Sequence, residues 1–261
     1  MDFGRQGFAG VLSWAQACGE EPGEALAVWM SGLRYTLSGI TGQGLSRQAY
    51  EELEKQRDAQ TAGEGGEELR RQYEQLRQIY GGLAADLQVF PIPRNTDASC
   101  AFVRFGNDWG NPRTFGGERR HEGCDIMGDC YEDGTYPVLS MTDGVVEQLG
   151  WLKLGGWRIG IRSDSGIYYY YAHLASYADG IETGDRVQAG DVLGYMGSTG
   201  YSTVEGTSGK FAVHLHVGIY VTTQEQEELS VNPYYLMRYL ENGHVLTQEY
   251  PFTKPPNETD D

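Results

Sequence analysis

The sequence predicts a mainly β fold, an antiparallel β domain preceded by an α-helical region, on three observations. Glycine is abundant, 37 of 261 residues, which favours the many tight turns of an antiparallel β protein. Beyond Phe90-Pro91-Ile92-Pro93 the chain breaks into short β-rich runs separated by glycines. Before that string, residues 46–87 are charged and helix-favouring. A hydrophobic content of 39% and a charged content of 22% allow a buried core.

Taken in order, residues 1–44 are glycine-rich, with apolar spacing that suggests short helices at 8–17 and 24–37. A helix over 46–61 is broken at 62–66 and resumes over 67–87. In the second half Leu69, Tyr73, Leu76, Tyr80 and Leu83 recur at four- and three-residue steps, a seam for a partner helix. The reading is a helical hairpin over about 46–87. Proline cannot continue a helix and restricts the residue before it, so the domain boundary falls at Phe90-Pro91-Ile92-Pro93. Strands are predicted at 137–139, 144–148, 157–162, 167–173, 191–196 and 211–221. Asn232-Pro233 then opens a short helix over 234–241. The organisation expected is a helical region at 1–88, a β domain at 89–241, and an acidic, flexible tail at 242–261.

The formal charge is −17, from 37 acidic and 20 basic residues. Such a field repels phosphate backbones and offers no basic patch to anionic membranes, which argues against nucleic acid as a partner. No apolar run is long enough to span a bilayer. Residues 8–17 precede Cys18, but Ala15-Gln16-Ala17-Cys18 makes a poor lipidation signal. Four cysteines permit disulfides, and Cys100, Cys124 and Cys130 share the β domain while Cys18 does not. A disulfide, if one forms, is therefore expected to join two of those three; free buried thiols are the other reading.

Four of the five histidines fall in positions that together make a metal site. In an extended segment, residues an even number apart share a face. His121 and Asp125 therefore point one way in His121-Glu122-Gly123-Cys124-Asp125, and Cys124 points the other. His214-Leu215-His216 places two imidazoles on one face of a strand, and His173 ends the tyrosine-rich run Tyr168-Tyr169-Tyr170-Tyr171. Two histidines and one aspartate with an open fourth position make a catalytic zinc arrangement, whereas a structural site closes with four ligands. His244 lies past these strings and reads as a surface residue.

These strings, with Arg120 and Ile126 flanking the first, resemble the lysostaphin and LytM-like zinc metalloendopeptidases of peptidoglycan. The other matching strings are Thr142-Asp143-Gly144-Val145-Val146, Tyr171-Ala172-His173-Leu174, Gly184-Asp185-Arg186-Val187-Gln188-Ala189-Gly190, Gly197-Ser198-Thr199-Gly200 and His214-Leu215-His216-Val217, closing on Val231-Asn232-Pro233. The resemblance implies an open antiparallel β-sheet metallopeptidase domain with a narrow groove. It makes His121, Asp125 and His216 the ligands of one zinc ion, and His173 and His214 the catalytic pair for protons and the developing oxyanion. It implies hydrolysis of stem-peptide or cross-bridge bonds in bacterial cell-wall peptidoglycan, outside the cytoplasm, with the export signal or anchor not visible in this chain.

Two stretches depart from that pattern. Residues 204–213 lengthen the passage to His214, and residues 127–136 lengthen the one after Asp125. Both are expected to reshape the substrate groove. A different class of relative binds the wall or activates other hydrolases without catalysis, but such relatives lack ligands that this chain has. A lipoyl-type hairpin at 184–197 would need an acceptor lysine in its turn, and none is there. For the helical region, three roles are open: a spacer, a surface for a protein partner, or an inhibitory segment. Asn95, Asn107 or Asn111 could supply an occluding ligand in the last case.

Overall fold

The structure, a computed structural model, describes residues 2–38, 40, 44–63, 65–97, 102–115 and 117–252. Four helices come first: α1 (Gly4–Cys18), α2 (Pro22–Gly32), α3 (Arg47–Ala62) and α4 (Gly66–Asp86). Pro22 opens α2 at its first position, and the Glu21 carboxylate accepts the N–H groups of Gly23 and Glu24. Ser46 caps α3 by accepting the Ala49 N–H. Apolar almost all round, α2 forms the middle of this layer, and α1, α3 and α4 each pack on it. Its approach to α4 is close: a Cβ at Gly23 would meet Gly81 Cα at 2.8 Å.

The predicted seam on α4 thus has α2 as its main partner, with α3 second. The reason lies in α3, which is charged along most of its length and buries only Tyr50. Tyr80 and Leu83 are fully buried, while Leu69 at the other end of the seam is exposed. The helix predicted at 24–37 ends at Gly32. There the chain turns back through Arg34 and Tyr35, both at positive φ, and the Tyr35 N–H donates to the Met30 carbonyl.

The strands are β1 (Arg94–Asn95), β2 (Val103–Phe105), β3 (Pro112–Arg113), β4 (Arg119–Arg120), β5 (Cys124–Gly128), β6 (Pro137–Leu139), β7 (Gly144–Leu152), β8 (Gly156–Ser163), β9 (Tyr168–Tyr177), β10 (Arg186–Val187), β11 (Val192–Met196), β12 (His214–Val221), β13 (Leu229–Val231) and β14 (Thr247–Gln248). Helix α5 (Tyr234–Glu241) follows β13. The large sheet is open and antiparallel, running β10-β7-β8-β9-β12-β5-β2, with β13 beside β12 and β11 joining β9 to β6. The mainly β prediction with a helical N-terminal region holds.

Side-chain alternation divides this sheet into two faces. Tyr169 and Tyr171 of β9, Leu215 and Val217 of β12, and Cys124 and Ile126 of β5 point to one face and are buried. The C-terminal end of α4 meets that face, where Asp86 accepts the hydroxyls of Ser165 and Tyr169. On α5, Tyr239 takes the ring of Phe8 edge-on at 5.1 Å. One apolar core consequently runs from Phe3 to Tyr250. The opposite face carries Tyr168, Tyr170, His214, His216 and Asp125 and lines a groove of ≈ 520 Å³.

Two expectations differ from what is found, and a third is narrowed. Residues 242–252, expected as tail, are packed: β14 pairs with β1, and the buried Tyr250 donates its hydroxyl to the Pro93 carbonyl. His244 is half-buried, its ring 4.7 Å from that of Tyr239. The pairing expected among Cys100, Cys124 and Cys130 does not involve Cys124, a free thiol that alternation directs into the core, where it donates to the Gly106 carbonyl. Cys100 and the end of the tail, 253–261, lie outside the described residues. Among the described residues, no helix is long and apolar enough to cross a membrane.

Candidate metal centre and active site

Three neighbouring strands build the site. In β12, His216 lies opposite Asp125 of β5 on one side and Ala172 of β9 on the other, so imidazole and carboxylate project together into the groove. His121 arrives from the segment just before β5, its backbone paired with Asn111 and Gly110. Gly123 is required by close approach, because a Cβ there would meet the His216 ring at 2.4 Å.

The three side chains converge on one point. His121 Nε2 lies 3.0 Å from His216 Nδ1 and 3.1 Å from Asp125 Oδ1, and His216 Nδ1 lies 3.0 Å from Asp125 Oδ1. Tetrahedral zinc with bonds of roughly 2.0–2.1 Å needs ligand atoms about 3.3–3.4 Å apart. The triangle is within a few tenths of an ångström of that, and its donors, two imidazole nitrogens and one carboxylate oxygen, are of the types zinc takes. These residues can hold a metal ion.

Around the triangle stands a supporting layer. Asp108 Oδ2 lies 3.1 Å from His121 Nδ1, which fixes the ring and leaves Nε2 for the triangle. Arg113 donates to Asp125 Oδ2 at 2.8 Å and to Asp108 Oδ2 at 3.1 Å, joining the two carboxylates. Such outer partners orient ligands and tune their basicity. Burial alone would lower the pKa of His121, but the bonds to Asp108 and Asp125 outweigh it and push it up to about 9. Burial would likewise raise Asp125, yet hydrogen bonds from His121 and His216 hold it well below the usual carboxylate range.

The second histidine pair sits beside the triangle. His173 and His214 have ring centroids 4.7 Å apart, and His214 Nε2 is 3.8 Å from Asp125 Oδ1. His173 Nδ1 donates to the Thr199 carbonyl at 2.7 Å, and His214 Nδ1 to the Ala212 carbonyl at 2.8 Å. A carbonyl only accepts, so both rings carry their proton on Nδ1 and keep Nε2 as a lone-pair acceptor. Burial lowers both pKa values, with the neighbouring His214 and His216 adding to the effect at His173. Strict alternation would turn His173 toward the core. Instead β9 bulges against β8 and His173 adopts φ 64°, which brings its ring to the groove.

Tyr201 lines the groove beside this pair, with Phe115 and Phe211 packed against it. Phe115 stacks on Tyr201 at 4.4 Å, and Phe211 lies 4.7 Å from the His173 ring. The 204–213 departure thus reaches the site through Phe211. Residues 127–136 do not line the groove; Tyr136 at their end is buried and bonds the Cys130 N–H. No residue of 1–88 lines the groove among the described residues. Asn95 donates its amide to the Tyr250 carbonyl and Asn107 accepts from Asn232, so neither is turned to the triangle.

Comparison with known proteins follows this geometry. The model of peptidase family M23 matches residues 119–233, a segment holding all five site residues. A crystal structure from Ruminococcus gnavus, of a protein described as a glycyl-glycine endopeptidase lytM, is 38% identical, covers 93% of this chain and 90% of that one, and superposes with a TM-score of 0.73. This chain belongs to peptidase family M23. Two further M23-like relatives are named endopeptidases. The Bacillus subtilis L-Ala–D-Glu endopeptidase is 43% identical over 163 residues, 62% of this chain and 47% of that protein. The Staphylococcus capitis glycyl-glycine endopeptidase ALE-1 is 39% identical over 82 residues, 31% of this chain and 20% of that protein. The chain spans about half or less of the length of these curated relatives. Asp108 and Arg113 precede the matched M23 segment. Reading the sequence missed them because their contacts depend on how an irregular loop folds back onto His121.

Proposed function

We propose that this M23 chain is a zinc-dependent endopeptidase that hydrolyses peptide bonds of bacterial peptidoglycan, in stem peptides or cross-bridges, outside the cytoplasm. The observation that carries the reading is the triangle of His121, Asp125 and His216, with two neutral histidines beside it on the floor of an open groove. His121, Asp125 and His216 hold the metal in this reading. When bound, zinc supplies a Lewis acid that polarises a carbonyl and makes water acidic enough to act as a nucleophile near neutral pH.

The chain's own residues do the rest. With Nδ1 of both His173 and His214 committed to carbonyls, each Nε2 can accept a proton and later return it to a leaving amine. The same Nε2, once protonated, can donate to a developing oxyanion. The left-handed backbone at His173 and its bond to Thr199 fix the direction in which that nitrogen points.

The test is digestion of purified peptidoglycan of several cross-link types, with mass analysis of the released peptides, alongside metal analysis of the protein. About one zinc per chain is expected, with hydrolysis abolished by a chelator. Active protein free of transition metal would reject the reading.

A further inference from the structure

Four arginines line the groove: Arg113, Arg119, Arg120 and Arg158. Arg113 is committed to Asp108 and Asp125. Arg119 and Arg120 belong to the β3–β4 ribbon and donate to the Phe115 and Gly110 carbonyls. Arg158 is different, because it rises from β8 in the floor of the sheet. Four residues further along that strand Arg162 makes a two-pronged ion pair with Glu147, at 2.6 and 2.7 Å. Among the described residues Arg158 has no carboxylate partner. Its Nη2 donates to the neutral Gln148 Oε1 at 3.2 Å, and its Nη1 is buried with no hydrogen-bond partner.

Register places this cation relative to the chemistry. Arg158 falls opposite the bulge at Ala172 and His173, Ala172 pairs with His216, and His216 pairs with Asp125. Arg158 and the metal triangle therefore share one row across β8, β9, β12 and β5. Two strand spacings, about 10 Å, separate the backbones of Arg158 and His216. A peptide bound at the triangle brings the side chain beside its scissile bond into that range. Glu147, which also lines the groove, is neutralised by Arg162 and does not compete for Arg158.

We propose that Arg158 recognises a free carboxylate on the substrate residue next to the scissile bond. The proposal rests on the hydrolytic reading above and narrows it to acidic peptides. A carboxylate matches the guanidinium fork and displaces the weak Gln148 contact on Nη2. A glycyl-glycine bond offers no such group. A bond to glutamate does, since one of its two carboxyls stays outside the chain.

The test uses the zinc-loaded full chain and two synthetic stem peptides with an alanyl–D-glutamyl bond. One keeps the free glutamate carboxyl and the other carries it as the carboxamide. The intact protein is expected to favour the carboxylate by about 10–100-fold in kcat/KM, the range of a charge-assisted hydrogen bond to a desolvated group. In Arg158→Gln the ratio should fall toward one, and Arg158→Lys should restore part of it. Both peptides meet the same preparation, so a folding defect cancels from the ratio. A ratio near one in the intact protein, or one unchanged by Arg158→Gln, overturns the proposal. Binding of both peptides to metal-free protein, followed by fluorescence anisotropy, separates the two readings. Carboxylate-selective, Arg158-dependent binding without hydrolysis would keep this inference and reject the endopeptidase.

Discussion

Two carboxylates lie on opposite faces of the same sheet, and their surroundings move them in opposite directions. Asp125 on the groove face meets imidazoles and Arg113, and these outweigh burial to keep it ionised. Asp86 on the far face meets the hydroxyls of Ser163, Ser165 and Tyr169, and there burial, with a smaller push from the like charge of Asp164, wins and raises its pKa. Hydroxyls can satisfy a carboxyl without charging it, whereas cationic donors preserve the charge. The groove face thus keeps a negative group that can meet a cation, and the far face uses its acid to bond the end of α4 to the sheet. β9 shows the same division, with Tyr168 and Tyr170 toward the groove and Tyr169 and Tyr171 in the core.

The largest effects should come from breaking the groove face. His216→Ala removes one corner of the triangle, so bound zinc and hydrolysis should both collapse. His214→Ala leaves the triangle whole; it should retain zinc and lose about 10²–10⁴-fold in rate, the usual share of general acid–base catalysis. His173→Ala should behave like His214→Ala, and the double variant should lose less than the product of the two. Zinc content measured beside rate decides the matter. Retention of zinc by His216→Ala with loss from His214→Ala would reverse the assignment.

The far face should respond in stability alone. Leu83 is fully buried on α4, and Leu83→Ala should cost about 2–5 kcal/mol through lost burial and the cavity left behind. The rate per folded, zinc-loaded molecule should be unchanged. Urea unfolding beside active-site titration would check this, and a fall in intrinsic rate would show the two faces to be coupled. Asp108→Asn tests the supporting layer with a smaller effect, about 10–100-fold in zinc affinity, the typical cost of losing a ligand's outer partner. Metal-competition titration measures it, and an unaltered affinity would remove Asp108 from the site.

Much of this division was legible in the sequence. Alternation put His121 and Asp125 on one face with Cys124 on the other, and His214 with His216 on one face of their strand; only the family resemblance joined the two sets. His173 was harder, since its place in the groove depends on a bulge and a positive φ that no residue near it signals. Asp108, Arg113 and Arg158 escaped notice for a related reason: each acts through a partner that only the folded chain brings near. The α4 seam was visible, but its partner was not, because seam spacing says nothing about which apolar helix fills it. The tail was misjudged from its prolines and acidic end, while Tyr250 and the β1–β14 pairing tie down the part before 253.

The smallest effect, and the sharpest test of the comparison, concerns Asp86. Its folded pKa is raised above the ordinary carboxylate value by burial. The folded state therefore binds this proton more tightly than the unfolded state does. The resulting stabilisation is fully present below the unfolded pKa, about 3.9, and is lost as pH rises through the higher folded value. Asp86→Asn keeps the shape and cannot ionise, so the stability of the native protein relative to this variant should decline across that window and level off above it. Urea unfolding of both proteins from pH 3.5 to 8 would give the difference directly, cancelling the titration of every other group. A difference that rises with pH would mean that the Asp86 carboxylate is stabilised as a charge, and the contrast with Asp125 would fail.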